Sequence, residues 1–459
     1  MNGLQVDLAL IQKYNVPGPR YTSYPPATRF QDNFGVREAR AELMATDAVP
    51  HELSLYFHIP FCETLCWFCG CTTVITLDHS QGARYVEDLA REMALTGPLL
   101  QMGRRVVQLH WGGGSPTFLA PGEIRRLGTA IRDRFDFAPS VEASVEIDPR
   151  RLTQDHVVAL REVGFNRASL GVQDFDPAVQ AAVHRIQPRE MTEQVVRWTR
   201  DAGFASVNID LIYGLPHQTP DSFQRTLDAV LELRPDRLAI FNYAHVPWLK
   251  PSQKIFEKRL ALPSPETKLQ LLKLVVERLT NEAGYVYIGM DHFALPQDEL
   301  ARAQASRTLQ RNFQGYSTRG GADICAFGMS AISQTETAYW QNLKGLPDYR
   351  AAVEAGQLPV ARGCRVTEDD RIRRAAIMEI MCNLGISYPR FLARTGVDFQ
   401  SAFATELEGL ADMEADGLVR REPEALVITD LGRLLVRNIA MRFDAHLPQT
   451  TEKRFSRTI

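Results

Sequence analysis

From Ser54 to His245 the chain alternates between two textures. Short runs rich in β-branched and aromatic residues have the length and composition of strands: SLYFHI (54–59), VVQLHWGG (106–113), EASVEID (142–148), RASLGVQ (167–173), SVNIDLIYG (206–214) and RLAIFNYAH (237–245). Between them lie charged runs with apolar residues at helical spacing: GARYVEDLAREMAL, PGEIRRLGTAIRDRF, TQDHVVALREVG, EMTEQVVRWTRDAG and TPDSFQRTLDAVLEL. Several of these open on Thr or Pro, residues suited to a helix start. Strands alternating with helices predict an α/β fold of βαβ units around a parallel sheet, and six units make an open, incomplete (β/α)6 barrel rather than a closed eight-stranded one. The predicted strands end in polar or glycine-rich residues: His58, GGGSP (112–116), Glu146 with Asp148, Gln173, Asp210 and NYAH (242–245). Any strand must end in turn residues, but in βα barrels chemistry collects at the carboxyl ends, and six such ends in a row favour a site there.

Past Leu262 the pattern changes. A helical run (264–283) leads to GYVYIGMDHF (284–293) and a polar stretch reaching RNFQGYSTRGG (311–321). From about Arg365 the chain reads as mostly helical, with helix spacing in RLLVRNIAMRF (433–443) and hairpin character in DGLVRREPEALVIT (416–429). A helix pair beside a hairpin faintly resembles a winged helix, but no dense basic patch marks a recognition helix, so a packing or lid domain is expected. The predicted organisation is a leader over residues 1–50, a partial barrel over 51–290, a barrel extension and connection over 291–364, and a mostly helical domain over 365–459.

Composition narrows the function. The 459 residues are 45% hydrophobic with a net charge of −3, ordinary globular values that need no disulfide staples. A sequence pI of about 6.4 argues against nucleic-acid binding through bulk positive charge. No run of about 18 apolar residues predicts a membrane span, and the N-terminus lacks the charged and apolar regions of a signal peptide. A cytoplasmic location is expected.

Four of the seven cysteines fall within HIPFCETLCWFCGC (58–71), spaced Cys62-x3-Cys66-x2-Cys69 and then Cys71. Clustered thiols in such a chain point to a metal or redox site rather than to disulfides. Cys325, Cys364 and Cys382 stand alone and read as small buried hydrophobes. Structural zinc commonly takes two separated cysteine pairs, which are lacking, although His58 or Cys71 could complete a local zinc site. The other reading is a [4Fe–4S] cube held by three cysteines, with one iron left open for a ligand. C-x3-C-x-φ-C, with Phe68 as the aromatic, directly after a strand, resembles the signature of radical S-adenosylmethionine (SAM) enzymes.

The ordered set PGPRYTSYP (17–25), SLYFHIPFC, the cysteine loop, LHWGGGSPT, EIDPR, GFNRASLGVQDF, NIDLIYGLPHQTP, FNYAHVP, GMDHFA, RNFQGYSTRG and the terminal FSRTI resembles the oxygen-independent coproporphyrinogen III oxidases. That resemblance implies oxidative decarboxylation of two propionates of coproporphyrinogen III to vinyls. The product would be protoporphyrinogen IX, in haem biosynthesis, made through a 5′-deoxyadenosyl radical. It implies Cys62, Cys66 and Cys69 as cluster ligands, and SAM contacts at Tyr56, Gly113 and Glu146. It implies a second SAM molecule near Phe68, Gly114, Ser115, Gln173, Arg185, Asp210 and Ala244, with Ile332 near the first. Gly112, Gly113 and Gly114 suit close backbone approach to a ligand or a tight turn. A buried Asp210 would need a partner: a sulfonium, an amine, Arg185 or Arg167.

Four substrate propionates call for cationic partners, with Arg20 (beside Tyr21 and Tyr24), Arg311 and Arg319 as candidates. The resemblance implies a flavodoxin- or ferredoxin-type electron donor and a monomer. The alternative is a haem chaperone or another radical SAM protein on the same scaffold, with His58, His110, His245 or His292 as axial ligand. Related haem chaperones generally lack both Cys71 and the PGPRYTSYP leader, and both are present here. Cys71 otherwise reads as a thiol beside the cluster with no chemical step.

Overall fold

The computed structural model describes residues 4–46, 48–259 and 262–447, so the FSRTI motif lies outside it. All six predicted strands form: β1 (Leu53–Ile59), β2 (Val106–Gly113), β3 (Phe137–Ile147), β4 (Arg167–Gln173), β5 (Ser206–Tyr213) and β6 (Arg237–Asn242). They are followed by β7 (Val286–Gly289), β8 (His292–Ala294), β9 (Asp323–Phe327), β10 (Ile332–Gln334), β11 (Ala338–Asn342) and β12 (Val360–Arg365). The predicted helices fill the gaps, among them Ser80–Thr96, Pro121–Arg132, Gln154–Glu162, Arg189–Asp201 and Pro220–Glu232. Start signals in the sequence act as expected. Pro121 opens its helix while the Glu123 carboxylate accepts the Ala120 N–H at 2.9 Å, and Thr219 caps the helix that begins at Pro220.

The chain divides into two compact units, Thr28–Asp210 with Gly321–Val366, and Met1–Ala27 with Leu211–Gly320 and Thr367–Ile459. In the first, the sheet order is β12-β11-β10-β9-β1-β2-β3-β4, followed by the part of β5 up to Asp210. β9, β1, β2, β3 and β4 run parallel to their neighbours, and β10 to β12 continue as antiparallel strands. β1 is buried at every position but the half-buried Tyr56, as a parallel strand covered on both faces must be. Phe57 stacks on Phe327 at 4.9 Å, and Trp111 meets Phe165 edge-on at 4.8 Å. β9 was not readable: DICAF is five residues long, and its parallel partner β1 lies more than 260 residues earlier. β3 starts at Phe137 instead of Glu142; its first five residues, none fully buried and interrupted by Pro139, carry no apolar alternation that would mark a strand in the sequence.

A buried carboxylate ties the helix Ser80–Thr96 to the returning strands. Glu92 accepts hydrogen bonds from the Gly328 N–H (2.7 Å), Asn342 Nδ2 (2.7 Å) and the Tyr349 hydroxyl (2.6 Å). Burial pushes its carboxyl up to about 7 despite these donors. A network satisfied in this way fixes one arrangement of the core.

In the second unit, β6 pairs antiparallel with β8, and β8 with β7. Helix Glu368–Asn383 and the helices from Tyr388 to Ala415 surround a three-stranded antiparallel sheet, Gly385–Ser387, Ala425–Ile428 and Val419–Glu422. The last two strands are the expected hairpin. The core of this unit holds Ile377, Ile380, Phe391, Phe399, Phe403 and Phe443. The N-terminal segment belongs to it: Tyr21 and Tyr24 are fully buried. The Tyr21 hydroxyl donates to Asp444 at 2.8 Å, the Tyr24 hydroxyl accepts the Ala445 N–H at 2.9 Å, and Asn438 Nδ2 donates to the Tyr14 carbonyl at 2.6 Å.

Candidate functional site

The cysteine loop leaves β1 at Ile59 and is closed at both ends by backbone and by one imidazole. The Val74 N–H donates to the Pro60 carbonyl at 2.8 Å and the Thr76 N–H to that of Cys62 at 3.0 Å. His58 Nε2 donates to the Thr72 carbonyl at 2.9 Å, which leaves Nδ1 to accept the Tyr56 hydroxyl at 3.1 Å. Burial pushes this imidazole's pKa down, so the neutral ring that both bonds require is the favoured form. The far side is held by the Trp67 N–H on the Val183 carbonyl (3.1 Å) and by His184 Nδ1 on that of Leu65 (3.0 Å).

The glycine run packs under this loop. The Gly114 N–H donates to the Ile59 carbonyl and the Ser115 N–H to that of Phe61, both at 2.8 Å. Gly113 has φ +112°, and a Cβ there would sit 2.6 Å from the His58 ring. A Cβ on Gly112 would meet the Glu146 carboxylate at 2.9 Å, and one on Gly114 the Pro60 carbonyl at 2.5 Å. The close approach is therefore of protein to protein: missing side chains let β2 slide beneath the loop that carries the thiols.

Cys62, Cys66 and Cys69 share that loop, with Cys66 buried, the other two half-buried and Cys71 exposed. Burial, and then the neighbouring Cys69, Asp148 and Cys66, push the Cys62 thiol up to about 12. Guanidinium donors reach the Cys66 sulfur from two sides, Arg150 Nη2 and Arg185 Nη1, each at 3.5 Å. Both arginines also hold Asp148 Oδ2, at 2.6 and 3.2 Å. Burial raises the Asp148 carboxyl, but Arg185 and Arg150 outweigh it and hold it at about 2. Three soft thiols with two cations against one sulfur fit an anionic iron–sulfur cluster, whose thiolate ligands shed their protons on binding. Among the described residues no three or more His, Cys, Asp or Glu are grouped closely enough to hold a metal ion, the three loop thiols included.

Beside the loop, the strand ends present a row of polar groups. Tyr56 stacks on His110 at 5.7 Å and packs against the cluster of Ile324, Ala326 and Ala331. Glu146 accepts the Gly113 N–H at 3.0 Å and faces His110 Nε2 at 3.4 Å. Burial raises its carboxyl, but His110 and the Gly113 N–H bring it below the ordinary range, and it keeps lone pairs for further donors. Asp210 has neutral partners, Ser169 Oγ at 3.1 Å and Asn208 Nδ2 at 2.7 Å. No arginine touches it among the described residues, and burial, then the Glu146 charge, lift it to about 7. Gln173 sits at φ +72° with its Oε1 buried and, among the described residues, without a partner. Such strain and an unmet acceptor gather at ligand sites. A cavity of about 480 Å³, within the range of small-molecule sites, is lined by Cys62, Ser115, Asp148 and Arg150 among others; Tyr56, Glu146 and Asp210 do not line it.

Two family models match the chain, the Radical SAM superfamily over residues 56–230 and the HemN C-terminal domain over 366–435. The oxygen-independent coproporphyrinogen III oxidase of Pseudomonas aeruginosa is 46% identical over 100% of both chains. That of Escherichia coli is 46% identical, over 99% of this chain and 98% of its own. The chain belongs to the oxygen-independent coproporphyrinogen III oxidase family. The solved structure of the E. coli enzyme HemN, described as a radical SAM enzyme, superposes with a TM-score of 0.91 at 44% identity, covering 97% of this chain and 100% of that one. Membership of this radical SAM family brings with it a [4Fe–4S] cluster and SAM.

The first unit contains Cys62, Cys66, Cys69, Tyr56, Phe68, Gly113, Gly114, Ser115, Glu146, Gln173, Arg185, Asp210 and Ile332. Ala244 lies in the second unit, exposed, just after β6. Among the histidines weighed as haem ligands, His58, His110 and His245 have both ring nitrogens hydrogen-bonded or paired. His292 differs: its Nδ1 is buried and has no partner among the described residues. Sequence reasoning assigned no role to Asp148 and Arg150, although EIDPR places them directly after β3, nor to His58 as the clasp of the loop.

Proposed function

We propose that the chain catalyses the oxygen-independent oxidative decarboxylation of two propionates of coproporphyrinogen III to vinyls, giving protoporphyrinogen IX. The observation that carries this is 46% identity to the oxidases over the full length, combined with a three-thiol loop packed on a glycine run that Glu146 also holds. Each propionate loses a hydrogen atom from its β-carbon, then carbon dioxide, and gives up one electron to an acceptor. When bound, the cluster and SAM supply the reductive cleavage that yields the hydrogen-abstracting 5′-deoxyadenosyl radical.

The chain's own residues position this chemistry. Cys62, Cys66 and Cys69 hold the cluster. Arg150 and Arg185 set positive charge against the Cys66 sulfur. Tyr56, Gly113 and Glu146 contact the cluster-bound SAM, with Glu146 accepting from ribose hydroxyls. Asp210, held by neutral donors, suits an ammonium or sulfonium, and with Phe68, Gly114, Ser115, Gln173, Arg185 and Ala244 it forms the site of a second SAM molecule, while Ile332 stands near the first. The scaffold is an incomplete (β/α)6 barrel, with residues 1–50 folding over its mouth. The protein works in the cytoplasm as a monomer, with electrons from a flavodoxin- or ferredoxin-type donor.

The test is anaerobic. The reconstituted protein, given dithionite, SAM and coproporphyrinogen III, forms 5′-deoxyadenosine and protoporphyrinogen IX. Deoxyadenosine without tetrapyrrole product, together with a Soret band that titrates with added haem, would instead establish the chaperone reading.

A further inference from the structure

Arg311 stands in the hairpin Gln310–Asn312 with Gly315–Ser317 in the second unit, and only 7% of it is exposed. Its Nε donates to the Arg20 carbonyl at 3.3 Å, and its guanidinium lies 4.8 Å from the centre of the Tyr316 ring. Among the described residues it has no carboxylate partner, and its Nη1 is buried without any hydrogen-bond partner. A buried guanidinium in this condition is costly, and native interiors seldom leave one uncompensated.

Its surroundings add positive charge instead of relieving it. The Arg20 side chain, over the Phe241 ring at 5.8 Å, is paired with Asp291. Arg437, whose Nη2 donates to the Gly18 carbonyl at 2.7 Å, is pushed down to about 10 by burial and then by Arg20. His292 supplies no charge: burial, then Arg311, push it down to about 3. Its Nδ1 is buried and unpartnered, as is the Oδ1 of Asn242. The region therefore holds a forked cation with a free face, flanked by flat aromatic rings and a neutral imidazole.

We propose that Arg311 is the anchor for a carboxylate of the tetrapyrrole substrate, with Arg20 beside it. The inference rests on the proposed activity and deepens it. Coproporphyrinogen III carries four propionates and only two react. The surviving two remain anionic throughout, so fixed countercharges can hold the ring while other β-carbons are presented. A guanidinium fork matches a carboxylate in two parallel hydrogen bonds, and the Tyr316 and Phe241 rings offer apolar surface to pyrrole. SAM also carries a carboxylate, and the experiment separates the two sources.

The experiment measures equilibrium binding to the full-length, cluster-loaded protein of coproporphyrin III, its tetramethyl ester and SAM, for wild type, Arg311→Gln and Arg311→Lys. Wild type is expected to prefer the free acid to the ester. Arg311→Gln weakens the acid by about 10- to 100-fold, leaves ester and SAM unchanged, and raises KM for coproporphyrinogen far more than it lowers kcat. Arg311→Lys regains part of the loss. The melting temperature of ligand-free Arg311→Gln is no lower than that of wild type, because the substitution removes an uncompensated charge. Acid and ester bound equally by wild type, acid affinity unchanged in Arg311→Gln, or a loss confined to SAM would each overturn the assignment. Wild-type turnover with an unaltered KM in Arg311→Gln sinks the anchor and leaves the activity standing. Acid-selective, Arg311-dependent binding without turnover does the reverse.

Discussion

The cysteine loop of the first unit and the arginine cluster of the second are assembled in opposite ways. The loop is local: His58, Cys62, Cys66, Cys69 and Thr72 span 15 residues, and the clasp from His58 to Thr72 closes within them. The cluster is dispersed: Arg20, Asp291, Arg311 and Arg437 come from four separate stretches of chain. The clasp between His58 and Thr72 is met within the loop, whereas among the described residues the cluster leaves Arg311 Nη1 and His292 Nδ1 without partners. A local motif can carry its own geometry and wait for a cofactor. A dispersed cluster of like charges is tolerable only because the rest of a fold enforces it, and its unmet valences describe the ligand it was shaped for.

The largest expected effect tests the loop's dependence on each thiol. Cys62→Ala should bring iron and sulfide to background and abolish 5′-deoxyadenosine formation, and a variant that still forms it would refute the ligand assignment. Next comes the leader. Removing residues 1–25 strips Tyr21 and Tyr24 from Asp444 and Ala445 and unpairs Asp291 from Arg20. Turnover of porphyrinogen should disappear while iron content stays at the wild-type level; loss of iron in that truncation would show that the cysteine loop depends on the leader.

Smaller effects sharpen the comparison. Gly113→Ala places a Cβ 2.6 Å from the His58 ring at φ +112° and should destabilise the protein by about 2–4 kcal/mol in denaturant titrations. Asp148→Asn leaves Arg150 and Arg185 facing each other and should cost about 2 kcal/mol at neutral pH, from a carboxyl held at about 2 against an ordinary 3.8. The folded state binds this proton less tightly than the unfolded chain does. The stabilisation is therefore complete above about pH 4 and is lost as the pH falls towards 2. Asp210 has the opposite sign. Burial lifts it to about 7, so the unfolded chain releases the proton first and stability falls as the pH rises from about 4 to 7. Asp210→Asn should raise stability at pH 7.5 by on the order of 1 kcal/mol and flatten that slope while weakening SAM binding. A variant less stable than wild type would show that the carboxylate is already neutralised by the protein.

The sequence by itself determined the six alternating strands and their helices, because apolar periodicity and cap residues act over a few neighbours. It also determined the three-thiol loop and the glycine run, since both are contiguous and need no distant partner to be recognised. Only the tertiary structure decided that β9 joins β1, that the glycines make room for His58 and Pro60, that Asp148 is shared between Arg150 and Arg185, and that Arg311 is buried with no counter-ion among the described residues. In the sequence Arg20, Arg311 and Arg319 were equal candidates. Burial and the partners left to a charge are properties of the packed chain, and packing unites residues that composition and spacing keep hundreds of positions apart.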